Sequence, residues 1–163
     1  MSVPDYRTVA VDELPDAPNP TRHKKEVDEA VGATAFGFNV YEAEPGELVP
    51  WAAHRHPDHE ELFYVLEGEL AVETPDGEFA VGAGEAFFVP ADAPNSARAA
   101  GEGRTRLVAV GAPKDADGAV IEEPCPACGE LTRWESSRDG EIVVLHCSDC
   151  GAETRRFGAG PDG

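Results

Sequence analysis

Two histidines and a glutamate form the first group of residues whose spacing could support chemistry. One residue separates His54 from His56, and four residues separate His56 from Glu61, where the next apolar segment begins. If the histidines lie on a strand, their side chains point to the same face. Two imidazoles and a carboxylate brought together in this way can hold a first-row divalent metal. The imidazoles suit Fe, Ni, Cu or Zn, whereas the carboxylate suits Mn.

Four cysteines form the second group. They make two Cys-x-x-Cys pairs separated by eighteen residues: Cys125, Cys128, Cys147 and Cys150. This arrangement predicts a zinc site, because each pair can supply two thiolates to a tetrahedron. Four thiolates leave no open position for a substrate, so we expect a structural role. Iron in a rubredoxin-like site is the alternative, since the ligands are the same.

The segment between the cysteine pairs predicts a hairpin. Apolar stretches at 131–134 and 141–146 flank Asp139-Gly140, a hairpin turn signal. Spacing and hairpin together resemble a zinc ribbon, which we place at residues 123–157 and call the cysteine module. A segment of this size cannot bury enough apolar surface alone, so the metal must supply folding energy.

The elements that must position the histidines and the glutamate are short strands. Turn signals such as Pro75-Asp76-Gly77 separate the apolar segments. No helical periodicity lies between them, so the pattern predicts an all-β sandwich or barrel over residues 34–112. The segments that predict strands are 35–41, 61–66, 69–74, 78–82, 85–90 and 106–111.

The remaining segments predict connections and ends. Residues 1–33 are expected to form an N-terminal arm, packed on the barrel or on a partner subunit. Within it, Asn19 and Pro20 could begin a short helix. Residues 113–122 predict a linker, and residues 158–163 predict a disordered tail.

Residues 34–112 resemble the cupin family. The first motif of that family is matched by His54-x-His56 and Glu61, with six residues between Glu61 and Gly68. Seven residues separate the upstream glycine, Gly46, from His54, where the family has five. The resemblance implies a small jelly-roll-like β-barrel, a divalent metal in it (Fe, Mn, Ni, Cu or Zn), a small-molecule ligand and a homodimer. A homodimer would also cover the exposed edge of a small sheet.

The second cupin motif is matched only in its first half. Gly84 and Pro90 have the spacing of the family. Asp92 then stands where glycine is usual, Asn95 where histidine is usual and Ala99 where asparagine is usual. The resemblance therefore implies a metal set of His54, His56, Glu61 and Asn95, in which Asn95 offers only an amide oxygen.

This departure leaves two hypotheses about function. We favour a metal-binding cupin protein of unknown substrate, whose barrel holds a divalent metal or a small ligand and whose zinc ribbon contacts a protein or adds stability. No general base is identifiable, which supports this choice. The alternative is a metal-dependent oxygenase or isomerase, because two histidines and one carboxylate are the ligand set of non-haem Fe(II) oxygenases. An empty barrel, with histidines held by hydrogen bonds, also remains open.

The neighbouring residues carry weaker expectations. His59, in the loop before Glu61, is expected to be solvated, with a role as substitute ligand as the alternative. Trp51 could line a pocket or pack in the core. Tyr64, Phe87 and Phe88 are expected in the core rather than against a ligand.

Charge restricts the partners. The chain has 32 acidic and 13 basic residues, a net charge of −19, and only three lysines. This composition resembles that of proteins from salt-loving archaea, where concentrated salt screens such repulsion; an ordinary acidic bacterial protein is the alternative. Nucleic-acid binding is not expected, because phosphate contacts need clustered Lys and Arg. A small patch at Arg133, Arg155 and Arg156 is the weaker alternative.

Location follows from the same composition. No stretch of about 18 apolar residues occurs, and the first residues do not form a secretory signal. We therefore expect a cytoplasmic protein without contact to a membrane. In that reducing compartment, clustered cysteines favour metal binding over disulfides.

Overall fold

Short apolar segments between turn residues form thirteen strands in residues 5–160, the part of the chain that the computed structural model describes. One short helix, α1, spans Val27–Val31, and single 3₁₀ turns lie at Val11–Glu13 and Lys114–Ala116. The strands are β1 His23–Glu26, β2 Gly37–Ala43, β3 His54–Arg55, β4 Glu60–Glu67, β5 Glu69–Thr74, β6 Gly77–Gly82, β7 Ala86–Val89, β8 Ser96–Ala99, β9 Thr105–Ala112, β10 Val120–Pro124, β11 Leu131–Asp139, β12 Ile142–Cys147 and β13 Glu153–Phe157. The predicted all-β fold is confirmed.

Two antiparallel sheets form the barrel. The first has the order β1-β2-β9-β4-β7 and the second the order β6-β5-β8. Alternate side chains of each strand fill the space between them, and Phe63 and Val65 of β4 are fully buried. Tyr64 and Phe88, expected in the core, instead lie outside, 43% and 53% exposed. That expectation was wrong because it used residue type and ignored the alternation, whereas Phe87 does pack against the core.

The N-terminal arm adds a strand to the first sheet. β1 pairs with β2, with Lys25 opposite Val40, so this segment packs on the barrel. The helix expected from Asn19 is absent there, and α1 begins only at Val27. The side chain of Asn19 instead accepts a hydrogen bond from Thr21 N over 3.0 Å, which closes a turn. Residues 1–4 of the predicted arm lie outside the described residues.

A third sheet joins the cysteine module to the barrel. Its order is β13-β12-β11-β10-β3, so the histidine strand β3 forms one edge. The predicted linker, 113–122, is therefore shorter in the structure, because Val120 and Ile121 pair with Arg55 and His54. At the other end, Ala159 of the predicted tail forms a bridge with Pro18. Residues 161–163 of that tail lie outside the described residues.

Membrane crossing by a helix finds no support in the described part of the chain. Among residues 5–160, no helix has both the length and the apolar character that a membrane span requires.

Candidate metal centres

The two histidines and the glutamate meet at one end of the barrel. His54 lies on β3, His56 follows it, and Glu61 is near the start of β4. One ligand atom of each lies within 4.8 Å of the others. His54 is only 2% exposed, and His56 is also buried. The short strand β3 and the turn after it lead back to β4. Residues that are near one another in the sequence therefore also lie close together in space.

Backbone carbonyls fix the orientation of both imidazole rings. His54 Nδ1 lies 2.8 Å from Ala52 O, and His56 Nδ1 lies 2.8 Å from Asp117 O. A carbonyl oxygen can only accept, so each Nδ1 carries the proton and each Nε2 keeps its lone pair. This is the arrangement in which a ligating histidine is held by its other ring nitrogen.

Asn95 is the fourth candidate ligand, and it is paired with His54. The two residues form an antiparallel bridge, and Asn95 Nδ2 donates to Ala93 O over 3.2 Å. The amide oxygen is therefore the free end of the side chain. Within the described residues, four buried acceptor atoms of this site have no hydrogen-bond partner: His54 Nε2, His56 Nε2, Glu61 Oε2 and Asn95 Oδ1. Unpaired buried polar atoms cost about 1–3 kcal/mol each, so a group of lone pairs without donors fits a cation.

The electrostatics prepare the same atoms for a cation. Burial lowers the pKa of His54, which favours the neutral ring. Burial opposes ionisation of Glu61, yet the neighbouring His56 lowers the pKa of this carboxyl. Burial also opposes charge on His56, but Glu61, with Oε1 3.1 Å from His56 Nε2, raises the pKa of that ring. In the neutral ring, with its proton on Nδ1, both of these atoms are acceptors, and His56 Nε2 has no hydrogen-bond partner.

His59 is buried beside this group, and the expectation that it is solvated was wrong. Its Nδ1 lies 2.9 Å from Pro113 O, and its Nε2 lies 3.8 Å from Glu61 Oε1. The ring packs over Gly111 of β9, where an added Cβ would overlap the imidazole. The missing side chain of Gly111 is what lets the loop turn His59 inward. The sequence feature that could have indicated a place for His59 in the site is its position three residues after His56.

A cavity of about 270 Å³ opens beside Glu61. Asn39 and Tyr41, two apart on β2, line it together with Lys24 of β1. Sequence reasoning missed these three, although alternation along β2 could have indicated the first two. The position of Lys24 could not be predicted from the local sequence, because only the pairing of β1 with β2 brings this residue to the cavity. Trp51 both lines the cavity and packs against Phe157.

Asp92 adopts the backbone conformation for which the cupin motif uses glycine. Its φ is 61°, in the left-handed region, which aspartate tolerates better than most side chains. Arg55 Nη1 holds its carboxylate at 2.6 Å, and Asp92 N donates to His56 O over 2.7 Å. This departure from the motif therefore leaves the turn intact beside His56.

The four cysteine sulfurs form a second cluster, all within 4.8 Å of one another. Each pair turns through a glycine with positive φ, Gly129 at 77° and Gly151 at 75°. Cys147 Sγ is hydrogen-bonded to the Thr132 hydroxyl over 3.1 Å, and this contact, together with the backbone N–H groups of Cys150 and Asp149, lowers the pKa of Cys147 to about 6. The cluster can hold a tetrahedral metal ion.

Comparison with known proteins agrees with this architecture. Residues 39–111 match the profile of the cupin domain. The polyketide synthase CurC of Streptomyces cyaneus is 33% identical over 124 residues, which cover 71% of this chain and 79% of that protein.

Solved structures share the fold. A sugar phosphate isomerase of the cupin superfamily from Silicibacter pomeroyi aligns with a TM-score of 0.59 at 20% identity, over 91% of this chain and 92% of that one. The polyketide cyclase RemF from Streptomyces resistomycificus aligns with a TM-score of 0.56 at 24% identity, over 68% of this chain and 81% of that one. At these identities the similarity concerns the fold.

Proposed function

Because this chain belongs to the cupin family, we propose that its barrel binds a divalent metal and uses it on a small oxygen-bearing molecule. The group of four buried acceptors without donors carries this proposal. Two imidazole nitrogens, one carboxylate and one amide oxygen suit a first-row ion of borderline hardness. We also propose that the four cysteines hold a structural zinc ion.

The residues around the cavity give the site its chemistry. A divalent ion held there supplies Lewis acidity that polarises an oxygen of the ligand. His59 carries its proton on Nδ1, so Nε2 is free to accept a proton from a bound molecule. Burial raises the pKa of Tyr41 well above its usual value, so its hydroxyl stays protonated and can donate to an oxygen. Trp51 adds an apolar ring to the wall of the cavity.

The substrate class follows from size and from the named relative. A cavity of about 270 Å³ admits a small molecule or one end of a larger one. The curated relative carries the name polyketide synthase, and polyketides are rich in carbonyl groups. We therefore propose a carbonyl compound with acidic α-protons, for which a metal, His59 and Tyr41 are the suitable partners.

A ligand-binding barrel without turnover is the second candidate. Asn95 favours it, because an amide oxygen in place of an imidazole weakens the hold on softer metals. In that case the same cavity binds its ligand, but the metal is weakly held and no proton transfer follows.

Metal analysis of the full chain, purified in high salt, tests the proposal. We expect one equivalent of zinc and one further equivalent of a divalent metal. Changing both histidines, His54→Ala with His56→Ala, should remove only the second. His146→Ala, on the cysteine module, is the matched control and should keep both. A folded wild-type chain that holds zinc alone, and takes up no added Mn²⁺ or Co²⁺, contradicts the proposal.

A further inference from the structure

We infer that the cysteine module is part of the barrel's metal site, so that metal at the four cysteines sets the affinity of the barrel for its own metal. The inference rests on the proposed metal binding of the barrel. It assigns the module a positioning role toward His54 and His56, in place of the docking role that its resemblance to a zinc ribbon suggests.

The first link is a strand pairing. Ile121 of β10 lies opposite His54 of β3, and Val120 lies opposite Arg55. β10 ends at Pro124, and the next residue is Cys125, one of the four cysteines. The strand that borders the first histidine therefore continues directly into the cysteine cluster.

Side chains strengthen this link on both flanks of His54. Glu123 Oε1 accepts a hydrogen bond from Ala53 N over 2.8 Å, and Glu122 N donates to Ala53 O over 3.2 Å. Arg55 joins the two parts, with Nη1 2.6 Å from Asp92 Oδ1 and Nη2 3.4 Å from Glu122 Oε1. Together these contacts fix the residues immediately before and after His54.

The second histidine depends on the approach to β10. His56 Nδ1 is held by the carbonyl oxygen of Asp117, three residues before β10 begins. If β10 shifts, the carbonyl that fixes the tautomer and direction of this ring shifts with it. Loss of such an outer hydrogen bond typically lowers metal affinity by roughly 10–100-fold.

On its other side β10 pairs with β11 of the module, so its position depends on the fold of the module. Its apolar core consists of Ile121, Val143, Leu145 and Phe157, with Trp51 and Trp134 against it. A core this small does not support a stable fold without a metal. The T-shaped contact of Trp51 with Phe157, with ring centroids 5.2 Å apart, ties this core to the cavity wall. Binding at the two sites is therefore coupled, and linkage makes the coupling reciprocal.

Glu123 allows a test that leaves all eight metal-binding residues in place. The full chain is loaded with one equivalent of zinc, which the four cysteines take up first, and free Mn²⁺ is measured by EPR during a titration in high salt. Mn²⁺ is suitable because hard ions avoid thiolate ligands. We expect Glu123→Ala to weaken Mn²⁺ binding about tenfold, within the range for outer-shell losses. Glu123→Gln keeps an oxygen acceptor for Ala53 N and should restore binding. Glu135→Ala, an exposed acid on β11, is the matched control.

A second variant tests the metal itself. Cys128→Ser removes an exposed ligand and should lower Mn²⁺ affinity by at least as much as Glu123→Ala. Circular dichroism checks whether the barrel of Cys128→Ser remains folded. If it does not, the comparison of Glu123→Ala with Glu123→Gln tests the coupling. Equal Mn²⁺ affinity in wild type, Glu123→Ala and folded Cys128→Ser overturns the coupling and leaves the proposed function standing. Failure of the wild type to bind Mn²⁺ or Co²⁺ overturns the proposed function, and the coupling with it.

Discussion

His54 and Asn95 face each other as a pair that exchanges both backbone hydrogen bonds. His54 N donates to Asn95 O over 3.0 Å, and Asn95 N donates to His54 O over 2.9 Å. Residues paired in this way present their side chains on the same face. The side chain of Asn95 therefore lies on the same face as that of His54, at the position where the cupin motif has a histidine, and we propose that it is the fourth ligand.

The first prediction concerns this ligand. Asn95→His should tighten binding of Ni²⁺ and Co²⁺ relative to Mn²⁺, because imidazole is a softer donor than an amide oxygen. Competition titrations of the zinc-loaded chain measure the ratio. Asn95→Asp is the counterpart and should favour Mn²⁺. An unchanged preference in both variants would place Asn95 outside the coordination sphere.

The second prediction concerns the space for His59. Gly111→Ala should lower the free energy of unfolding by about 1–3 kcal/mol, a typical cost of overpacking, because the added Cβ overlaps the imidazole. Gly37→Ala is the matched control: Gly37 pairs with Gly111, and its added Cβ meets nothing closer than 3.9 Å. Thermal unfolding compares the two variants.

A double variant checks the cause of that loss. His59→Ala removes the ring that the new methyl group would meet. Combined with Gly111→Ala, it should cost less than the sum of the single changes, since residues in contact are not additive. Strict additivity would show that His59 does not occupy the space beside Gly111.

The third prediction concerns an outer apolar face. Leu62 and Phe88 lie opposite each other on β4 and β7, and both are exposed, as is Tyr64. We propose that this face joins two copies of the chain, which would remove apolar surface from water. Light scattering should give the mass of a homodimer, and Leu62→Glu should reduce it to that of a monomer. Leu131→Glu, at a leucine that is 69% exposed on the cysteine module, should leave the dimer intact. A wild-type monomer at all accessible concentrations contradicts this proposal.

The fourth prediction concerns salt. With a net charge of −19, self-repulsion should weaken the fold in dilute buffer. The Tm should rise as KCl increases from about 0.1 M to about 2 M, because the Debye length falls from roughly 10 Å to below about 3 Å. A Tm that stays constant or falls would support the ordinary acidic protein that the composition also allows.

Most residues of the candidate site could be predicted from their spacing in the sequence. His54, His56 and Glu61 are close in the chain, so strand geometry and a short loop suffice to bring them together. The cysteine pairs are likewise local on each side, and one hairpin joins them. Turn residues and short apolar segments were enough to predict the all-β class.

Pairings between distant segments account for what the sequence did not predict. The burial of His59 depends on Gly111, a residue of another strand. Lys24 reaches the cavity only because β1 adds to the first sheet. The pairing of His54 with Ile121 joins the barrel and the cysteine module in one sheet, although the sequence pattern predicts them as separate segments. Nothing in the local pattern of either segment specifies these partners.

Pulsed EPR of the zinc-loaded full chain with one equivalent of Cu²⁺ tests the barrel site most directly. A copper ion bound through Nε2 of His54 and His56 should show modulation from the two remote Nδ1 nitrogens. His54→Ala with His56→Ala should abolish that signal, and His146→Ala should leave it unchanged. If the imidazole modulation persists without His54 and His56, or is absent from the wild type, the four residues at the mouth of the barrel do not form its metal site.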